Sequence, residues 1–566
     1  LETYDELEHE DSLASNFRAE DLSRSDLEQL TVLSFREREI VKALESGGQR
    51  LLIGPRGSGK STYLKSAYFG AIEGDRAFPV YVNYSKSISL EPTFKTSATA
   101  LPLFRQWVLA QIVVGALSTF SDLGLEAPDL DEDYGRQAAA VVSAIERRQV
   151  DEAPETRLDL TGVLEFLERC ADLTSRRRVV LLLDDAAHAF AAEQQREFFE
   201  IFSGLRSRVV SSKAAVYPGV TSYTPRFHVG HDAQLIDVWL RPDDVQYLDL
   251  MKEIAQKRLP HDVFADLEQR DGLLDFIALA SFGLPRAMLS MLAQVVEKKR
   301  NSTPTSTLTF TSTAVSETAH NALKVFTSLE SKLPRYKNFV QVGRELVDAC
   351  VNAIREYNEQ RNPDTDERAI RILLQEPLGP EVERVLGFLE YAGVVRQQLT
   401  RISNGERSFK VIVPHYALLL DGNALALGRN PSTANAVESL LSRQHTVRVR
   451  RQVTTLLGPD YLERCRLDLG ACPACGFERE NPEARFCSNC GASLPQVSVY
   501  EELLRQSVEA LPLSEAISQR LISGGELLTV NDIILDEDSQ KLLGTNYIGP
   551  VRAVAIKALA EEFVYE

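Results

Sequence analysis

Gly54-Pro55-Arg56-Gly57-Ser58-Gly59-Lys60-Ser61 is the stretch on which the reading of this chain turns, because it fits the pattern G-x-x-x-x-G-K-[S/T] without a mismatch. The apolar run Leu51-Leu52-Ile53 before it reads as a strand, and a helix is expected after it, which is the context the pattern requires. Glycines let the backbone turn successive N–H groups toward the β- and γ-phosphates, and the following helix offers its positive end. Lys60 adds a point charge and the Ser61 hydroxyl suits Mg²⁺. Every component answers a polyanion, so residues 54–61 with Thr62 are the expected contacts for ATP. A glycine-rich turn matching the pattern by chance would lack these flanks.

Outward from the loop, the texture alternates between strand and helix. Phe35, Ile40, Val41 and Leu44 recur at helical spacing, and Gly47-Gly48 stops that helix. Buried strands are expected at Phe78-Pro79-Val80-Tyr81-Val82 and Val179 to Leu183, with helical stretches at 101–120 and 159–171 between them. Lys213 to Tyr217 and Leu235 to Trp239 read as a fourth and fifth strand, so the fold class is α/β with a parallel sheet. The third strand ends in Asp184-Asp185. Asp184 is expected to hold Mg²⁺ through water and Asp185 to polarise an attacking water. Alone, the same residues would also describe a buried strand ending in a solvated turn; the glycine loop selects the first reading.

Residues 243–300 read as a helical lid, and Ser/Thr-rich Asn301 to Ser316 as a linker in which Leu308 and Phe310 could make a short strand. Residues 317–362 return to helix. An amphipathic helix from Glu381 to Ala392 is followed by Gly393, Val394-Val395, a turn at Asn404-Gly405 and a strand through Phe409 to Val413, the layout of a winged helix. The expected organisation is an acidic arm (1–30) able to order against the core, a P-loop core (31–242), a lid (243–300), a linker with helices (301–370), a winged helix (371–440), a basic connecting segment (441–468), a zinc ribbon (469–495) and a helix-hairpin-helix domain (496–566).

The order of glycine loop, apolar strand with two aspartates, a later strand near Val220-Thr221, and Phe282-Gly283-Leu284-Pro285-Arg286 resembles bacterial AAA+ ATPases of the origin-recognition-initiator type. The resemblance implies that Thr221 serves as sensor 1 and that Arg286, in the lid helix, serves as sensor 2 on the γ-phosphate. It implies Arg226 as a finger reaching a neighbouring subunit's nucleotide, and hence a homo-oligomer; an ordinary surface arginine is the equal alternative. Many relatives carry Glu where this chain has Asp185, and the shorter side chain sets its oxygen back by more than about 1 Å, so slow turnover is expected. The double Asp and Gly283-Leu284-Pro285 are similar to STAND signalling ATPases, in which the proline, here Pro285, packs by the adenine; Arg286 departs from that motif. Both groups are nucleotide-state switches.

Cys472-Pro473-Ala474-Cys475-Gly476 and Cys487-Ser488-Asn489-Cys490-Gly491 form C-x₂-C-x₁₁-C-x₂-C, two thiolate pairs that fill a tetrahedron around one structural Zn²⁺. Cys170, Cys350 and Cys465 read as ordinary buried residues. Beyond them, Leu511-Pro512-Leu513-Ser514, Arg520-Leu521, Thr529-Val530-Asn531-Asp532 and Ile548-Gly549-Pro550-Val551-Arg552 resemble the helix-hairpin-helix C-terminal domain of the bacterial RNA polymerase α subunit. That resemblance implies a hairpin aimed at a DNA phosphate with Arg552 and Lys557 beside it, and Asn546 taking a left-handed conformation where such hairpins carry glycine.

Charge weighs against DNA here. From Glu501 onward twelve acids face five bases, and the whole chain of 566 residues carries −18, so a protein-docking module is the equal reading. The better basic patch is Arg443 to Arg451, extended by Arg396, Arg401, Arg407 and Lys410, or else it is a solvated face. No aromatic residue interleaves there for base stacking. No apolar stretch reads as long enough to span a bilayer, and the start at Leu1-Glu2-Thr3-Tyr4-Asp5 does not read as a signal, so no membrane partner and a cytoplasmic location are expected. No nuclease, helicase or protease motif is present, which points to an effector on a partner protein.

Overall fold

The computed structural model describes residues 22–85, 100–126, 132–147, 158–185, 192–270, 272–301, 307–362, 367–405, 407–428, 432–441, 449–479, 484, 486–494, 498–513, 515–536 and 538–565. Most of the acidic arm and the basic residues 442–448 lie outside them. Helix α1 (Arg24–Leu30) is followed by α2 (Phe35–Glu45), β1 (Arg50–Ile53), α3 (Lys60–Glu73), β2 (Ala77–Asn83), α4 (Ala100–Asp122), α5 (Glu132–Glu146), α6 (Leu160–Leu173), β3 (Arg178–Asp184), α7 (Ala192–Gly204), β4 (Val210–Val216) and β5 (Gln234–Asp237). The five strands form one sheet in the order β2-β3-β4-β1-β5, parallel at every pairing. This is a mixed α/β fold built on one parallel sheet, as the alternation of strands and helices in the sequence implied.

Both faces of the sheet are buried, which is why its strands read as continuous apolar runs. Successive side chains point to opposite faces: Leu181 and Leu183 join the cluster with α4, α6 and α7, while Leu182 packs with Leu52, Leu44 and Leu64 under α2 and α3. Helix α4 corrects one expectation, because Leu101–Asp122 is by length and composition able to cross a membrane. Trp107, Val108, Leu109, Ala110 and Ile112 within it are fully buried in the protein core.

The lid comprises α8 (Tyr247–Arg258), α9 (His261–Glu268), α10 (Leu273–Ala280) and α11 (Pro285–Asn301). The end of α1 rests on it, with Lys257 Nζ donating to the Thr31 carbonyl at 2.6 Å. The expected linker is largely helix, since α12 (Thr307–Thr327) takes in Leu308 and Phe310 and excludes a strand there. Helices α13 (Leu329–Lys332) and α14 (Lys337–Glu359) lead to β6 (Ile372–Gln375), α15 (Pro380–Tyr391), β7 (Val395–Asn404) and β8 (Arg407–Pro414), then α16 (Tyr416–Asp421), α17 (Thr433–Leu441), β9 (Val449–Arg451), α18 (Val453–Leu457) and α19 (Tyr461–Arg464). The second sheet has the order β7-β8-β6-β9, so the end of the basic patch, Val449–Arg451, is an edge strand parallel to β6.

This unit packs closely on the core. Gly219, at φ 71°, meets Gly387 of α15 so tightly that a Cβ on Gly219 would stand 2.2 Å from the Gly387 carbonyl carbon. Arg396 on β7 is buried, stacked 4.2 Å from the Trp239 ring centroid, and donates to the carbonyls of Trp239 and Leu240 at 2.7 and 2.9 Å. It is therefore a fastening between hairpin and core, not part of an exposed basic face. Lys410 pairs with Glu383, and Arg401 with Glu376 at 3.2 Å.

Helices α20 (Val499–Arg505), α21 (Glu515–Ser523), α22 (Val530–Ile534), α23 (Gln540–Gly544) and α24 (Pro550–Tyr565) close a separate small core around Leu503, Leu511, Val530 and Ile556. The left-handed residue of its hairpin is Tyr547 (φ 68°); Asn546 is not left-handed. Arg552 donates to the Tyr547 carbonyl at 3.0 Å and Lys557 to the Asp536 carbonyl at 2.9 Å, so both bases brace the module itself.

Candidate nucleotide-binding site

The carboxyl ends of β1, β3 and β4 converge, the place where open parallel sheets bind ligands. Leaving β1, the chain turns through Gly57 (φ 76°) and Gly59 (φ 87°), a left-handed pair that side chains would strain, and enters α3 at Lys60. Ser58 Oγ donates to the Pro55 carbonyl at 2.9 Å, tightening the turn, and a Cβ on Gly54 would stand 2.5 Å from that hydroxyl. Lys60 is buried; its ammonium donates to the carbonyls of Gly54 (2.9 Å) and Pro55 (3.0 Å) and lies 3.6 Å from the ring centroid of Tyr217. Thr62 sits in the first turn of α3.

Asp184 ends β3 beside this loop. Ser61 hydrogen-bonds its carboxylate, and Tyr81 donates to it at 2.9 Å. Burial foremost, then the neighbouring Asp185 charge, push the Asp184 carboxyl well above the usual carboxylate range. A hydroxyl and a carboxylate joined in this way fit a hard divalent cation, which takes oxygen ligands and would offset the burial cost of the charge. Asp185 is left-handed (φ 50°), an uncommon state for a non-glycine residue, and accepts from Tyr217 Oη at 3.1 Å.

Tyr217 is the residue that reading the sequence missed. It follows β4 directly, where the strand end faces both Lys60 and Asp185. Val220-Thr221 forms no strand; the Thr221 hydroxyl donates to the Tyr217 carbonyl at 2.8 Å and accepts from its amide at 3.1 Å, bracing the turn. Arg226 is exposed in the following loop.

From the lid side, the chain bends at Phe282 and Gly283, both left-handed, before Pro285 starts α11. A Cβ on Gly283 would meet the Leu240 carbonyl oxygen at 2.0 Å, so only glycine passes here. The next residue after Pro285, Arg286, is thereby laid against the loop; a Cβ on Gly57 would touch Arg286 Cβ at 3.2 Å. The end of α15 also reaches the site: the Arg56 amide donates to the Tyr391 carbonyl at 3.2 Å, and Tyr391 packs edge-on to Tyr217. A cavity of about 270 Å³ adjoins, lined by Arg56, Gly57, Leu284, Arg286 and His415. His415 is wholly buried, accepts from the Ala417 amide at 3.1 Å, and leaves Nε2 without a partner among the described residues. Burial holds its pKa down at about 3.

The four cysteines form a second site. Cys472 and Cys487 each accept from a glycine amide four residues on, Gly476 and Gly491, and each of these glycines is left-handed. Two matching turns result. All four Sγ atoms lie within 4.8 Å of one another, with Cys472–Cys490 at 3.6 Å and Cys475–Cys487 at 3.7 Å. Thiolates about 2.3 Å from one Zn²⁺ stand about 3.8 Å apart in a tetrahedron, so the cluster fits zinc.

No family model matches the chain, and no curated protein matches it. Among solved structures it is similar to the Aeropyrum pernix ORC1 protein in complex with DNA, with 16% identity, 70% of this chain and 93% of that chain covered, and a TM-score of 0.31.

Proposed function

We propose that the chain is an ATP-binding, slowly hydrolysing P-loop switch of the AAA+ kind. The observation that carries this reading is the convergence of Lys60, Ser61, Asp184 and Asp185 at the strand ends, beside a loop whose two left-handed glycines put no side chain between the backbone and an approaching ligand. Gly54 to Thr62 cradle the triphosphate, Lys60 leaves the carbonyls it now binds for the phosphates, Ser61 and Asp184 hold Mg²⁺, and Asp185 orients water. Bound Mg²⁺ supplies charge neutralisation of the phosphate oxygens. Tyr217, in place of Thr221, reports the γ-phosphate from the end of β4 to Asp185. Arg286 answers the same phosphate from the lid, Pro285 packs by the adenine, and Arg226 reaches a neighbouring copy in a homo-oligomer.

The switch acts in the cytoplasm on DNA or on a DNA-bound protein, through the hairpin of β7 and β8, the basic segment and the C-terminal module. Arg407 and Arg450, both exposed, support direct DNA contact. A second reading, a signalling scaffold that docks an effector protein, is favoured by the module's acidity and by the internal use of Arg396, Arg552 and Lys557. Duplex binding at low salt with an ATP analogue separates the two: loss of binding in Arg407→Ala with Arg450→Ala supports DNA, and absence of binding in the parent protein removes it. In Asp185→Asn, turnover is expected to fall to background with nucleotide still bound; undiminished turnover would contradict the role given to Asp185.

A further inference from the structure

The C-terminal module, about 500 residues along the chain from the glycine loop, touches it directly. Glu562, in the last turn of α24, is largely buried against two arginines. Arg56 Nη2 stands 3.1 Å from its carboxylate and also donates to its main-chain carbonyl at 3.0 Å. Arg286 pairs with the same carboxylate oxygen. One cation comes from the loop and the other from the first turn of the lid helix α11, so a single anion bridges the two elements a triphosphate would bridge. Fastenings nearby hold the module in place: Lys324 donates to the carbonyls of Glu509 and Leu511, each at 3.3 Å, and Lys332 lies over the Phe563 ring.

We propose that Glu562 is a built-in phosphate mimic: the C-terminal module latches onto the nucleotide site, and ATP and the latch exclude one another. The inference rests on the nucleotide reading above. A carboxylate carries one charge where a terminal phosphate carries more and presents three oxygens, so the arginines favour the nucleotide in a direct exchange. What keeps the latch closed at low ATP is tethering, which gives the module a high effective concentration at the loop. Linkage makes the coupling reciprocal: whatever affinity the latch removes from ATP, ATP removes from the latch. Filling the site therefore frees α24, and with it the face of the module that engages the partner.

The test uses the full chain with Mg²⁺ and a fluorescent non-hydrolysable ATP analogue, comparing wild type with Glu562→Gln and Glu562→Lys, alongside hydrogen exchange of residues 550–565 in wild type with and without the analogue. Both variants are expected to bind about 5- to 150-fold more tightly, and exchange in α24 is expected to rise on saturation of wild type. Saturable wild-type binding with no gain in either variant and no change in exchange overturns the latch and leaves the nucleotide site standing. If none of the three proteins binds the analogue, the nucleotide reading itself fails, and the latch with it.

Discussion

Tyr217 illustrates how much of the site depends on register, not on a local pattern. The glycine loop is legible because its chemistry is contiguous in eight residues, and the two aspartates are legible because an apolar run leads into them. Tyr217 matters only because β4 is inserted between β1 and β3, so that its strand end faces Lys60 on one side and Asp185 on the other. Tyr217→Phe keeps the ring over Lys60 and removes the hydroxyl from Asp185. Turnover is expected to fall about tenfold, the worth of one hydrogen bond to a charged group, with nucleotide affinity held within about twofold; equal loss of both in titration and steady-state assays would contradict this. His415 supplies a pH signature. Its folded pKa, about 3, lies below the ordinary value of 6.5, so it is neutral in the fold and binds a proton on unfolding. Its contribution is intact above pH 6.5 and is lost as pH falls toward 3, about 2 kcal/mol by pH 5. His415→Asn keeps an acceptor for the Ala417 amide but does not titrate, so its melting temperature is expected to fall less steeply than wild type between pH 7 and 5; parallel curves would count against it.

Elements were easier to read than their neighbours. Helix α15 and the hairpin of β7 and β8 follow directly from periodicity and the Asn404-Gly405 turn, yet alternation along β7 places Arg396 on a face that looks exposed until the core is seen to cover it. Likewise, the Ser/Thr-rich composition of Asn301 to Ser316 argued for a linker, and burial of Thr311, Ala314 and Val315 against the body overrode that propensity and made α12. Arg396→Met would leave the Trp239 and Leu240 carbonyls without their donors, at a cost of about 2 to 3 kcal/mol. The expected result is a lower melting temperature with the salt dependence of DNA binding unchanged; a stable variant with weakened DNA binding would restore Arg396 to an exposed basic face.

At the scale of the whole molecule, the hydrophobic cluster of the C-terminal helices and the small one at Cys472, Cys487 and Leu494 are each distinct from the main core. The cysteine turns have almost no apolar core of their own, so metal is expected to supply their folding energy. One Zn²⁺ per chain should be released by a chelator or by Cys475→Ser, with loss of exchange protection in residues 471–494 and undiminished nucleotide affinity; metal-free protein with the same protection would contradict a zinc site. The spacing of the cysteines announced this unit, whereas the approach of α24 to the loop, 506 residues away at Arg56 and Glu562, left no trace in any local pattern. The nucleotide reading rests on the glycine loop. The most direct measurement is calorimetric titration of Mg²⁺ and a non-hydrolysable ATP analogue into wild type and Lys60→Ala. Saturable binding near one nucleotide per chain, weakened at least a hundredfold in the variant, is the expected result; wild type that takes up no nucleotide, or a variant that binds equally well, would contradict it.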